Sequence, residues 1–244
     1  MIRTLPAALV LLLNPPAEIK TSDELIHAVR DRYASGWYST LTFVQRTTQL
    51  QQDGTSRVST WYEAMSLPGA LRIDIDSMGI NGIIFARDTQ YVFREGNLVQ
   101  ARRYTHPLLL LGFDVYFLPV QETLARLKEL NFDLTILRED TWQGRPAYVV
   151  GAKRDDLHSP QFWIDKERLY FVRLLRPAGQ DSSQTQEIQF NRYERLAGGW
   201  VSPEVIVKLN GKVVMTEEYT EIEAGVRLDP QLFDPQHWRT ARWR

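Results

Sequence analysis

Arg72, Asp74 and Asp76 occupy alternate positions of one short segment, and so share one face if that segment is a strand. Two carboxylates in that relation could divide acid and base work between them. Leu71, Ile73 and Ile75 take the other face, which is the alternation of a half-buried strand, and a solvated polar face explains the charges without catalysis. The four histidines, His27, His106, His158 and His237, are scattered. No pair has metal-ligand spacing, and each reads as an ordinary surface or capping residue. Gly79-Ile80-Asn81-Gly82 is not followed by Lys-Ser/Thr, so it is no phosphate loop, and no Gly-x-Ser-x-Gly elbow occurs. The chain has no cysteine, which excludes disulfides, thiolate metal sites, a cysteine nucleophile and a lipid-modified cysteine anchor. Neither an enzyme nor a cofactor or metal site is expected.

The 244 residues carry a formal net charge of −1, so no nucleic-acid partner is expected. Residues 239–244 hold Arg239, Arg242 and Arg244 and read as a frayed, solvated C-terminus. At the other end, Met1-Ile2-Arg3 precedes an apolar run from Leu5 to Leu13 broken only by Pro6, and then Asn14-Pro15-Pro16-Ala17. A charge, a short apolar core and a small residue fit a secretory signal peptide over residues 1–17. That run is shorter than the roughly 20 apolar residues a membrane span needs. Export is expected, with residues 18–244 as one domain.

Thr21-Ser22-Asp23-Glu24 followed by Leu25, Ile26, Val29 and Tyr33 predicts a helix with a capping box, ending before Gly36. From Trp37 the period changes to two: Leu41, Phe43 and Gln45 share one strand face. Strands are then expected over 57–67, 71–75, 82–86, 90–94 and 98–104. The β pattern stops at His106-Pro107, and a helix is expected over Glu122–Phe132 with Leu124, Leu127 and Leu130 at spacings of three. Strands resume over 134–137, 147–151, 162–164, 169–175, 186–192, 200–209 and 213–223. Asn210-Gly211 between the last two is a strong hairpin signal. Short turns between consecutive strands imply an antiparallel meander of about 11 strands.

Two segments break the one-wet-face pattern. Phe162 to Pro177 reads as two strands about the charged turn Asp165-Lys166-Glu167-Arg168, and its second arm, Leu169 to Leu175, is apolar at nearly every residue. Its sheet should therefore be covered on both sides, by protein or by an apolar guest. Leu108 to Leu118 is almost unbroken in its apolarity. It is either a buried plug at one end of the sheet or a lid over an apolar cavity.

The capped helix ending in Tyr33-Ala34-Ser35-Gly36-Trp37, the strand Leu41-Thr42-Phe43-Val44-Gln45, the segment Gly144 to Val150, the strand Phe162-Trp163-Ile164-Asp165 and the closing Leu228-Asp229-Pro230-Gln231-Leu232-Phe233-Asp234, in that order, resemble the LolA-like superfamily of periplasmic outer-membrane lipoprotein-sorting proteins. The resemblance implies a mainly β, α+β fold: a strongly curved antiparallel sheet, or incomplete β-barrel, closed by helices. It implies a cavity for lipid or lipoprotein acyl chains, with Leu108–Leu118 and the helix near Glu122 as lid. Phe43, Tyr62, Phe93, Leu109, Phe113, Phe117, Phe162 and Trp163 are the lipid-binding candidates. A soluble periplasmic carrier is the function implied, with envelope membrane proteins that hand over or accept cargo as partners. The alternative is an envelope sensor or interaction module that binds a partner protein through the same fold.

Overall fold

The computed structural model describes residues 18–51, 53–179 and 182–244; the signal-peptide expectation lies outside them. The first helix, α1 (Ser22–Tyr33), begins at the expected box: Thr21 Oγ1 accepts from Glu24 N, and Glu24 Oε2 accepts from Thr21 N. Six strands follow as a meander: β1 (Thr40–Leu50), β2 (Ser56–Ser66), β3 (Ala70–Ile75), β4 (Asn81–Ala86), β5 (Thr89–Arg94) and β6 (Asn97–Arg103). Helix α2 (Pro107–Gly112), a 3-10 turn at Asp114–Tyr116 and α3 (Val120–Glu129) form the helical excursion. The chain then makes β7 (Leu137–Trp142), β8 (Arg145–Val150), β9 (Gln161–Asp165), β10 (Phe171–Ala178), β11 (Gln184–Asn191), β12 (Glu194–Leu196), β13 (Gly199–Val201), β14 (Glu204–Leu209) and β15 (Lys212–Ala224).

Thirteen of these strands form one antiparallel sheet, in the order β6-β5-β4-β3-β2-β1-β15-β14-β11-β10-β9-β8-β7, and β12-β13 form a separate hairpin. The expected figure of about 11 is low, since the stretches read as strands number 13; the two further strands arise because the predicted strand 200–209 is interrupted at residues 202 and 203 and its first part pairs with the added β12. The predicted strand 134–137 instead begins where it was expected to end, at Leu137. The Asn210-Gly211 turn is present, with φ of 48° and 77° at its two residues, the left-handed pair a tight hairpin requires.

The sheet curls. β5 and β10 stand eight places apart in the strand order, a span of about 38 Å if the sheet were flat, yet Gln90 of β5 and Arg176 of β10 line one cavity. Its edges β6 and β7 do not pair, so the curl stays open. The inner face holds the main core, where α1, α2, α3 and the 3-10 turn pack against the strands. Phe132, just beyond α3, meets Phe162 of β9 edge-to-face at 5.1 Å. Among the described residues no helix is long and apolar enough to cross a membrane.

The two-sided arm is explained by protein on both faces. Phe171 and Leu174 belong to the inner core, while Val172 and Leu175 join Ala147, Val149, Trp163 and Tyr170 in an outer cluster. A register shift between Phe171 and Arg173 turns Val172 and Arg173 outward together. Trp142, Tyr193 and Trp200 pack over that outer cluster.

Two expectations are corrected. The Arg72 and Asp74 side chains are not solvated: both have no exposed surface. The C-terminus is not frayed either. Residues 230–238 fold back over the outer face of β3–β5, with Leu232 and Trp238 buried, and Arg239 Nε donates to Gly96 O at 2.8 Å. Sequence alternation assigned Asp74 to the non-core face correctly, but that face has a second cover contributed by distant chain.

Candidate functional site

Helices fill the inner face unevenly. Over β8–β10 the aromatic and aliphatic side chains interlock with α3 and Phe132. Over β1–β4 and β15 the lining cover comes from α2 with its flanking residues His106 and Phe113, and a two-chambered cavity remains there. The inner chamber, about 100 Å³, is lined by Gln45, Trp61, Glu63, Met65, Leu71, Ile73, His106, Leu108, Leu109, Phe113, Phe190, Glu217 and Tyr219. The outer chamber, about 270 Å³, shares Trp61, Ile73, His106, Leu108 and Glu217 with it and extends to Phe85, Gln90, Tyr104, Arg176, Ile188, Val205 and Val207. Together they reach the lower end of the roughly 300–1,000 Å³ typical of small-molecule sites.

Local geometry fixes the walls. On β2, Trp61, Glu63 and Met65 alternate inward, and on β15 Met215, Glu217 and Tyr219 do the same. The Tyr219 ring stacks on Phe43 at 4.2 Å, and its hydroxyl donates to Glu217 Oε2 at 3.2 Å. Trp61 Nε1 donates to Ser59 Oγ at 2.9 Å, and Gln45 Nε2 to Thr47 Oγ1 at 2.7 Å. Helix α2 is tethered at both ends. His106 caps it, Nδ1 accepting from Leu109 N at 3.1 Å, and Asp114 Oδ1 accepts from Gly69 N of the β2–β3 turn at 2.8 Å.

The titratable groups here are strongly perturbed. Burial, with the like charge of Glu217 added, pushes the Glu63 carboxyl well above its usual range. Burial pushes Glu217 up to about 7, with only the Tyr219 hydrogen bond opposing. Burial and then the nearby Arg176 guanidinium push His106 down to about 4, in keeping with an imidazole whose Nδ1 already serves as acceptor. Asp114 rises to about 6, again by burial, against the Gly69 hydrogen bond. Among the described residues no group of His, Asp or Glu is assembled to hold a metal ion.

The sequence candidates divide between the two faces. Leu109 and Phe113 line the inner chamber. Phe43 lies directly behind it under Tyr219, and Phe117 and Phe162 sit in the same inner core away from the chamber wall. Tyr62, Phe93 and Trp163 are corrected: they point to the outer face. Tyr62 faces the Arg244 guanidinium, Phe93 stacks on Trp238, and Trp163 joins the outer aromatic cluster. Sequence reasoning missed Trp61, Glu63, Glu217 and Tyr219. A signal existed: Glu63 sits between Trp61 and Met65 at the parity of the apolar face, where a carboxyl is out of place.

No family model matches the chain, and no curated protein matches it. Solved structures do. One is a DUF1329 family protein from Desulfovibrio piger, with a TM-score of 0.57 at 13% identity over 89% of this chain and 97% of that one. A LolA superfamily protein from Nitrosomonas europaea gives 0.56 at 11% identity, over 88% and 98%. A domain named as a candidate outer membrane lipoprotein-sorting protein from Vibrio parahaemolyticus gives 0.56 at 10% identity, over 89% and 97%. The chain therefore has the fold of the LolA superfamily.

Proposed function

We propose that this protein is a soluble periplasmic carrier that holds a lipid or lipoprotein acyl chain between its curled sheet and α2. The observation that carries the reading is the uneven filling of the inner face: the lid helix closes over a cavity with Leu71, Ile73, Leu108, Leu109 and Phe113 in its wall. Burying a methylene there contributes about 0.8 kcal/mol, so one chain of ordinary length is held firmly. The cavity volumes suit one chain better than several. The fold it shares with lipoprotein-sorting proteins supports the same reading, as does the signal-peptide pattern of residues 1–17. The role assigned is binding rather than catalysis, and Leu109 and Phe113 are the lipid-contacting residues proposed.

The test is extraction of protein purified without detergent, followed by mass spectrometry of the extract, together with binding of a fluorescent fatty-acid probe. Copurifying acyl lipid and displaceable probe are expected, and Leu109→Trp, which fills the chamber, should abolish both. Native protein free of lipid that also fails to bind probe would overturn the reading.

One observation favours the partner-binding alternative. The outer face carries a groove of about 300 Å³ between Trp142, Tyr170, Tyr193 and Trp200, edged by Arg145, Arg168 and Arg192. If the groove serves a protein partner, a photo-crosslinker at Gln143 will capture one specific protein in cells, and Trp200→Ser will prevent it without touching probe binding.

A further inference from the structure

The inner chamber has more polar chemistry than an acyl tail can use. Three strands contribute it side by side: Glu63 on β2, Gln45 on β1 and Glu217 on β15, where Gln45 is paired to Trp61 on one side and to Tyr219 on the other. Glu63 is only 5% exposed, lines the chamber, and has no hydrogen bond or ion pair among the described residues. Its carboxyl oxygens are not sealed in protein but open on the chamber, where a ligand can reach them. Among the described residues no lysine or arginine lines the inner chamber. Arg176 reaches only the outer one, where its Nε donates to Gln186 Oε1 at 2.8 Å. The remaining wall beside the carboxyls is aromatic, Trp61 and Tyr219. Carboxylates set among aromatic rings are the chemistry that recognises ammonium groups.

We propose that the inner chamber is a cation site, in which Glu63 and Glu217 with the rings of Trp61 and Tyr219 take the ammonium head of an amphiphile whose tail follows the apolar wall. The inference rests on the acyl-chain reading and specifies the head group that reading leaves open. It also sets a preference: a fatty-acid carboxylate or a phosphate with its head in the inner chamber would meet two carboxyls and, among the described residues, no cation, so such a ligand binds more weakly, with its head outside this chamber. Binding is coupled to protons, because burial raises the proton affinity of both carboxyls and a cation favours their ionised form. The other groups facing them are Tyr219 on β15, His106 at the α2 cap and, across the outer chamber, Arg176 on β10.

The experiment is calorimetric titration of the purified chain with decyltrimethylammonium, decanol and decanoate, each below its micellar concentration, repeated on Glu63→Gln, Glu217→Gln and the double variant. The trimethylammonium head does not titrate, so any pH effect belongs to the protein. The ammonium compound should bind about tenfold or more tighter than decanoate, and its affinity should rise several-fold as pH is raised through neutrality while that of decanol stays level. The double variant should lose the preference and keep decanol binding. Equal binding of the three, tighter decanoate, or a preference that survives the double variant overturns the cation site and leaves the acyl reading standing. Binding of none of them overturns both. The wild-type series decides the matter even if a variant misfolds.

Discussion

Arg72 and Asp74, two positions apart on β3, form a bidentate ion pair, Nε to Oδ2 at 2.7 Å and Nη2 to Oδ1 at 3.0 Å, in which neither side chain reaches solvent. Their remaining hydrogen-bonding capacity is met by backbone. Arg72 Nη2 donates to Trp238 O at 2.9 Å and Nη1 to Leu232 O at 3.3 Å, while Asp74 Oδ1 accepts from Gly79 N at 2.6 Å. The Trp238 ring closes the site, 4.4 Å from the guanidinium carbon and stacked on Phe93 at 4.3 Å. The pair thus latches the C-terminal segment to the back of a strand whose front residues, Leu71 and Ile73, line the cavity.

Breaking that pair from one side strands a buried charge. Asp74→Asn and Arg72→Met should each cost about 3–5 kcal/mol, and the joint replacement Arg72→Met with Asp74→Leu should cost much less than their sum. Urea denaturation of the three variants checks this. Single substitutions costing under about 1 kcal/mol would show that the latch contributes nothing.

Trp238 is the lid of that latch. Trp238→Ala should cost about 3–5 kcal/mol through lost packing alone, and should expose Phe93 and the guanidinium together. Gly82→Ala probes the same contact from beneath. A Cβ at residue 82 would lie 2.7 Å from the Trp238 ring and 2.0 Å from Ile73 O, so β4 must shift away from β3 and the tail must give way with it. Both variants should make the chain cleavable near residue 230 by limited proteolysis, where the wild type resists.

The latch marks the boundary of what the sequence could show. Alternation over Leu71–Asp76 gave the strand and both of its faces, since side-chain parity is a local property. What covers the polar face comes from residues 232 and 238, and nothing local announces a contact across some 160 positions. The same limit misplaced Tyr62, Phe93 and Trp163. Aromatics stand on both faces of this sheet, and each outer one has a distant cover: Arg244, Trp238, or the Trp142–Arg173 layer. The capping box at Thr21, the Asn210-Gly211 hairpin and the apolar segment Leu108–Leu118 were legible because each is specified within a few residues. Of the cavity, Leu109 and Phe113 could be read from that segment, whereas Glu63 and Glu217 face each other only after β1 has brought β2 and β15 to its two sides.

His106 makes the lid acid-labile. Its folded-state pKa, about 4, lies below the ordinary imidazole value of 6.5, so the unfolded chain binds the proton more readily. The contribution of a neutral His106 is therefore complete above about pH 6.5 and is lost as pH falls toward 4. His106→Asn keeps a side-chain cap for Leu109 N without a titrating group. The variant should melt less sensitively to pH across that window, with little change near pH 7.5; thermal melts at a series of pH values read this directly.

Glu63 and Glu217 act in the opposite sense. Their folded-state values are raised, Glu217 from 4.5 to about 7 and Glu63 well above the usual carboxyl range, so the folded chain holds protons that the unfolded chain has released. Stability from these groups is complete below about pH 4.5 and is lost as pH rises through 7. For Glu217 the loss is on the order of 3 kcal/mol, since the carboxyl must either ionise in the cavity or stay protonated against a basic solvent. Glu63→Gln with Glu217→Gln removes both titrations at nearly constant shape. The double variant should be the more stable protein above about pH 7 and should lose its advantage near pH 5. A bound cation in the inner chamber should reverse this ordering, stabilising the wild type at high pH and leaving the double variant unmoved. Melts with and without decyltrimethylammonium at both pH values measure all four cases, and parallel pH profiles for the two proteins would remove the carboxyl pair from any role in stability.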